Sequence, residues 1–193
     1  MNNIRKTEYE INELFLNRCS SRALSDNVSK KEIMELFEAA RWSPSASNIQ
    51  PWRFYYAMKN TPVWNDFFGL LVEFNQIWAK NAAALIIIVS KKTNATGEYN
   101  PTHSFDTGAA WMSLALQASL NEIVAHAMAG FDYEKAKQIL GLPGDYSVEA
   151  MVAIGRKGSI DVLPERMQKG EKFSDRIPIK DFVFEGKYNK SSK

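Results

Sequence analysis

The sequence predicts an α+β or mixed α/β fold, because strand-like apolar segments alternate with helical segments in irregular order. Three stretches carry that expectation. Ala83–Val89 is a short, continuous apolar run of the kind found in a buried strand. Ser29 with Glu32 forms a capping-box pattern, followed by Ile33, Leu36, Phe37 and Ala40 at helical spacing. Ser104–Asn121 reads as a helix that is apolar almost all round.

Taken in order, Thr7 with Glu10 is a first capping-box pattern, and Ile11, Leu14 and Phe15 after it predict a helix. The polar, basic stretch NRCSSRALSDN separates it from the helix that Ser29 opens. Arg41–Phe54, reading RWSPSASNIQPWRF, then breaks that helix, crosses a polar turn and enters a strand. Pro44 and Pro51 lack a backbone N–H, and each pushes its preceding residue out of the α region. Arg53–Met58 reads as the strand. Pro62 is expected to open a third helix, with Phe67, Leu70, Leu71, Phe74 and Trp78 on one face. A short polar loop over Lys91–His103 leads into Ser104–Asn121. A domain of this size rarely encloses a helix fully, so a partner subunit is expected to cover part of it. Ile123–Ala129 predicts a strand ending at Gly130, and Asp132 caps a short helix that stops at Gly141 and Pro143. Val148–Ile154 predicts another strand. The remainder, with Pro164 and Pro178, reads as an extended arm that wraps around something else.

A chain of 193 residues, 45% hydrophobic, can bury one sizeable core, so residues 1–193 are expected to form a single domain with a disordered tail over 186–193. Lys+Arg 24 against Asp+Glu 22, with no basic run, argues against a nucleic-acid partner. One cysteine, Cys19, excludes an intramolecular disulfide and fits a reducing compartment. IRKTEYEINELF is charged and amphipathic, not an apolar signal region, and Ala82–Val89 is too short to span a bilayer. These points predict a cytoplasmic protein with no membrane partner. No G-x-G-x-x-G follows a strand, and one Cys with two distant His fits no metal-ligand spacing.

The Arg41–Phe54 turn carries the chemistry. Ser45, Ser47, Asn48 and Gln50 all donate and accept hydrogen bonds, and Trp42 and Trp52 flank them with apolar surface. Such a turn fits a polar ledge for a planar, heteroatom-rich ligand; it fits an ordinary helix-to-strand turn as well. PSxxNxQPW from Pro44, preceded by R-x-S-x-R at Arg18–Arg22, resembles the nitroreductase family of FMN-dependent oxidoreductases. The resemblance runs over roughly Asn12–Gly186.

It implies a nitroreductase-like α+β fold, a central and mostly antiparallel sheet flanked by helices, in an intertwined homodimer that shares its active sites. It implies FMN as cofactor and NAD(P)H as co-substrate. Hydride would pass through flavin N5 to a nitroaromatic, quinone or similar conjugated electrophile in a ping-pong cycle. By resemblance, Arg18 and Arg176 bind the FMN phosphate, and Ser20 contacts phosphate or ribityl oxygens. Arg22 lies at the pyrimidine edge and tunes the reduced ring; no side-chain acid or base is implied. Pro44, Ser45, Ser47, Asn48 and Gln50 belong to the cofactor set, and Asn75 matches an asparagine that bonds the ring edge. In HAMAGFD, Ala127 and Met128 pack on the flavin, and the N–H of Ala129 or Gly130 points at N5. Departures from the family pattern are Cys19 for a basic residue, Leu24 for phenylalanine, Ala129 for a glutamate, and Ser174 for a second phosphate-binding lysine.

His103 stands before the apolar helix, as a substrate contact or a solvated loop residue; His126 reads as a core histidine. The short Lys91–His103 loop implies an open site of broad specificity. Alternatives are a specialised flavoenzyme of the same fold, of dehalogenase or flavin-cleaving type, and a non-catalytic FMN carrier or sensor.

Overall fold

The computed structural model describes residues 5–188; of the tail expected at 186–193, residues 189–193 lie outside the described residues. One sheet is built from β1 (Leu24–Ser25), β2 (Trp52–Met58), β3 (Ala84–Lys91), β4 (Ile123–Met128) and β5 (Tyr146–Lys157). β5 is its hub. It pairs with β3 on one edge and β4 on the other, and β2 adds to the far side of β3. β3 starts only at Ala84, opposite Ile154; β1 extends the same side, so Arg156 pairs with both Ser25 and Ile123. All these pairs are antiparallel. Gly155 permits the crossing of β1, because a Cβ there would lie 2.7 Å from the Ser25 carbonyl oxygen.

Both faces of the sheet are buried, which explains why β3 has no polar alternation. Ile86, Ile88, Val152 and Ile154 face α2 (Lys30–Arg41) and α5 (His103–Leu120), meeting Ile33, Leu36, Leu114 and Ala118. Leu85, Ile87, Met151 and Ala153 face the opposite layer: α3 (Trp64–Phe68), α4 (Glu73–Ala79), α6 (Tyr133–Ile139) and α7 (Glu165–Gln168). The expected Ser29–Glu32 capping box is present in both directions, and the Asp132 side chain accepts from the Lys135 N–H at 2.9 Å.

Two helix expectations are corrected. No helix starts at Thr7: α1 spans only Leu14–Asn17, its start held by Asn12 Oδ1 accepting from the Leu14 N–H. Ile11 and Phe15 remain about half exposed, lining a groove with Ile177, Ile179 and Phe182 instead of packing into the core, and a local cap does not sustain a short helix. The helix expected from Pro62 is two helices, α3 and α4. Between them Leu71 bridges to Phe131 and Asp132 N–H donates to the Leu70 carbonyl, a strand-like contact that a continuous helix would forbid.

α5 has an unpartnered apolar stripe: Phe105 is 81% exposed, Leu120 62% and Met112 38%. Its other side, including Ala110, Leu114 and Ala118, is buried in the core.

Candidate functional site

Arg18, Cys19 and Ser20, from the segment before β1, meet Lys172, Ser174 and Arg176 of the C-terminal arm, with Arg5 beside them. They line a cleft of about 230 Å³. Arg18 Nη1 donates to Ser20 Oγ at 3.3 Å, and Arg176 Nη1 donates to Ser174 Oγ at 3.0 Å. Arg5 ties the two segments, donating through Nε to the Ser174 carbonyl and through Nη1 to those of Leu16 and Arg18. Burial, then the like charges of Arg176 and Arg18, push the Arg5 guanidinium below its ordinary pKa. Guanidinium groups converging with two hydroxyls fit a phosphate monoester, whose charge would relieve that repulsion.

Arg22 follows this cleft. Its backbone N–H donates to both carboxylate oxygens of Glu171 at 3.1 Å, and Ser21 Oγ donates to Glu171 Oε2 at 2.6 Å. The Arg22 guanidinium lies 3.9 Å from Glu171 Oε1 and over the Phe74 ring at 5.7 Å.

Beyond Phe74, Asn75 is buried and doubly engaged. It donates to the Gly130 carbonyl at 2.9 Å and accepts from Trp78 Nε1 at 3.3 Å, binding α4 to the end of β4. The approach is close enough that a Cβ on Gly130 would come within 2.7 Å of Asn75 Nδ2. Ala127 and Met128 point to opposite faces of the sheet. Met128 is buried in the core, so a ligand there meets its main chain, and Ala129 is exposed. His126 Nδ1 lies 3.1 Å from the Ser21 carbonyl, which makes it the N–H donor, and the ring packs on Trp78 at 4.5 Å. Burial pushes the His126 pKa down against the opposing pull of that carbonyl.

The Ser45–Gln50 turn is a separate group. Ser47, Asn48 and Gln50 have φ of 49°, 55° and 52°, left-handed backbone that non-glycine residues rarely adopt. Ser45 Oγ accepts from the Gln50 N–H, Gln50 Nε2 donates to Asn48 Oδ1, and buried Asp106 accepts from the Ala46 N–H. Trp52 is buried in the core, whereas Trp42 is exposed, with its Nε1 donating to Glu38. Pro44, Ser47 and Asn48 are exposed.

His103 is neither solvated nor free. Its Nδ1 lies 2.7 Å from Ser90 Oγ, which donates to Glu149, and Tyr99 packs edge-on to the ring. With Ser90 donating to the carboxylate, the hydroxyl accepts from Nδ1–H, leaving Nε2 as the basic nitrogen in the neutral ring.

The two groups lie at opposite ends of the molecule. Trp52, at the exit of the turn, pairs with Ser90, which pairs with Ser147; Ser25, just past Arg22, pairs with Arg156. From Ser147 to Arg156 the strand runs about 30 Å. α5 runs between the two groups on one face, rising about 20 Å from Asp106, which touches the turn, to Ser119, which lines a cavity with Arg18 and Cys19. No hydrogen bond or ion pair between described residues joins Arg18–Arg22 to Ser45–Gln50. The sequence patterns did not single out Arg5, Lys172, Glu171 or Asp106. Only Asp106 had a local signal, as the lone carboxylate in an otherwise apolar helix. Among the described residues there is no group of three potential metal ligands, and no helix is long and apolar enough to cross a membrane.

Comparison with known proteins bears on both groups. One solved structure, described as an oxidoreductase containing FMN, is 42% identical with a TM-score of 0.93, covering 98% of each chain. An uncharacterized 15.4 kDa protein of Mycolicibacterium smegmatis is 30% identical over 124 residues, 62% of this chain and 80% of that one. A Bacillus subtilis (strain 168) protein provisionally named NAD(P)H nitroreductase YdgI is 34% identical over 68 residues, 35% of this chain and 32% of its own length. The family model described as Nitroreductase family matches residues 16–67 and 57–156, taking in Arg18–Arg22, the Ser45–Gln50 turn, the central helix and most of the sheet. This antiparallel, helix-flanked sheet is therefore a nitroreductase-like fold, and the chain belongs to the nitroreductase family.

Proposed function

We propose that the chain is a single-domain FMN-dependent oxidoreductase, working as a cytoplasmic homodimer with two shared sites. NAD(P)H is the electron donor, and the acceptor is a nitroaromatic, quinone or similar conjugated electrophile. The observation that carries this reading is the cleft of Arg18, Ser20, Ser174 and Arg176, a donor set suited to one phosphate monoester. The FMN-containing relative supports the same cofactor.

When bound, FMN supplies the hydride-accepting and hydride-donating ring that no side chain provides. The residues of this chain hold and orient it. Arg18 and Arg176 hold the phosphate, with Ser20 and Ser174 as hydroxyl partners. Arg22 contributes a fixed positive charge at the end of the cleft, where it favours the more negative, reduced form of a ligand. Gly130, packed on Asn75, fixes the chain just past β4 and leaves the main chain of Ala129 and Gly130 to face a ring. Donor and acceptor then use one place in turn, which is ping-pong kinetics.

Distance supports sharing between subunits. Arg22 and Asn48 stand too far apart in one chain to meet one ligand. The apolar stripe of Phe105, Met112 and Leu120 lies on the helix that connects the two groups. Packing that stripe against its own copy in the antiparallel sense brings each Arg18–Arg22 segment to the partner's turn.

The test is chromatography of the flavin released from purified protein, with stopped-flow absorbance during NADH and NADPH addition. FMN and nicotinamide oxidation are expected. FAD, or no flavin after reconstitution, overturns the cofactor reading; FMN without nicotinamide oxidation favours a carrier or sensor.

A further inference from the structure

We propose that Glu171 is the positioning residue for Arg22, fixing its backbone while damping its charge; the proposal rests on the FMN reading above. Glu171 has a side chain only 2% exposed. A carboxylate withdrawn from water this far is tolerated only when its oxygens are bonded. Here the bonds go to the Arg22 N–H and the Ser21 hydroxyl, about 150 residues earlier in the chain. Glu171 thereby fastens the arm carrying Arg176 to the segment carrying Arg18.

The guanidinium itself is treated differently. At 3.9 Å from Glu171 Oε1 it is within ion-pair range but beyond a hydrogen bond. Phe74 flanks the group with its ring 5.7 Å away, and the Arg22 side chain is 31% exposed. Its N–H donors have no hydrogen-bond partner among the described residues, so they remain available to a ligand. Glu171 therefore orients Arg22 without consuming its donors, and its negative charge weakens the field Arg22 projects.

Charge and bonding separate in two variants. Glu171→Gln keeps an accepting oxygen for Ser21 and Arg22 but removes the charge. With FMN bound, its reduced-to-oxidised ratio at fixed ambient potential is expected to rise about tenfold, which is about 30 mV for a two-electron couple. Its FMN Kd, read from flavin fluorescence quenching, is expected to stay within about threefold of wild type. Ser21→Ala keeps the charge and removes the bond to Glu171, together with the one that Ser21 Oγ accepts from the Ala23 N–H. It is expected to raise the FMN Kd at least about fivefold without raising the potential. A Glu171→Gln protein that holds FMN at an unchanged or lower potential overturns the inference alone. If that variant does not fold, an unchanged FMN Kd in Ser21→Ala overturns it. Wild-type protein that binds no FMN refutes the cofactor reading, and this inference with it.

Discussion

The Asp106 carboxylate accepts a hydrogen bond from the Ala46 N–H at 3.2 Å, joining the first turn of the central helix to the turn in which Ser47, Asn48 and Gln50 have left-handed backbone. The same Oδ2 accepts from Thr102 Oγ1 at 2.8 Å. Strained backbone persists only when its surroundings over-determine it, and Asp106 is the buried side chain that does so here.

Asp106→Ala is therefore expected to leave the Ala46 N–H unpaired, with Thr102 Oγ1 falling back on Asn100 Oδ1, costing about 1–3 kcal/mol in urea unfolding. Asp106→Asn retains an accepting oxygen and is expected to cost less. Equal stability of Asp106→Ala and wild type would sink this account of the turn.

Gly130→Ala puts a methyl 2.7 Å from Asn75 Nδ2 and 3.0 Å from Val72 Cγ2. Relieving the overlap requires separating α4 from the end of β4, at an expected cost of about 1–3 kcal/mol. Shortening the obstructing side chain should recover part of it. The double variant Gly130→Ala/Asn75→Ala is thus expected to be more stable than the sum of its single costs predicts. Strict additivity in that cycle would show the contact to be incidental.

What was legible in the sequence was what is local. The Ser29–Glu32 box and the Asp132 cap are satisfied within one helical turn, and the patterns alone place them. The α3–α4 break was not legible, because Leu71 leaves helical geometry to meet Phe131, sixty residues on. Thr7 failed for the converse reason: the local pattern is present in the sequence, but Ile11 and Phe15 stay half exposed and no core packing extends a helix back to it. Among the site residues, Arg18, Ser20, Ser174 and Arg176 were legible through a family pattern, and the fold gathers them in one cleft. Glu171 and Arg5 were not, since their value lies in contacts to segments far away in the chain.

His126 gives a pH dependence of definite sign. Burial lowers its folded-state pKa, so below the unfolded value of about 6.5 the unfolded chain binds a proton that the folded one resists. Its contribution to stability is thus present above about pH 6.5 and is lost as pH falls toward the lowered folded-state value. His126→Gln removes this titration. Wild type is expected to lose more stability than His126→Gln between pH 7.5 and 5.5, by at most about 1.4 kcal/mol per pH unit. Parallel losses in urea titrations of the two proteins would exclude it.

Arg22→Ala tests the fixed charge directly. A charge-assisted hydrogen bond of about 2 kcal/mol to the reduced ring corresponds to a fall in potential on the order of 40 mV. Dye-equilibration potentiometry on protein with FMN still bound reads this shift. A potential at or above the wild-type value would remove Arg22 from the role.

The shared-site arrangement predicts how lesions combine. Arg18→Glu reverses a charge in the phosphate cleft, and Asn48→Trp crowds the exposed turn at the other end of the chain. Each is expected to abolish FMN binding in its own homodimer, because every shared site there carries the lesion. In a mixed dimer the lesions fall differently. One site receives both, from Arg18→Glu of one subunit and Asn48→Trp of the other. The second receives an intact cleft and an intact turn. A mixed dimer isolated through two different affinity tags is therefore expected to bind one FMN and to recover about half the wild-type activity. If cleft and turn served one site within a chain, each site of the mixed dimer would keep one lesion. A flavin-free mixed dimer that is folded and stably paired would then rule out sharing between the subunits.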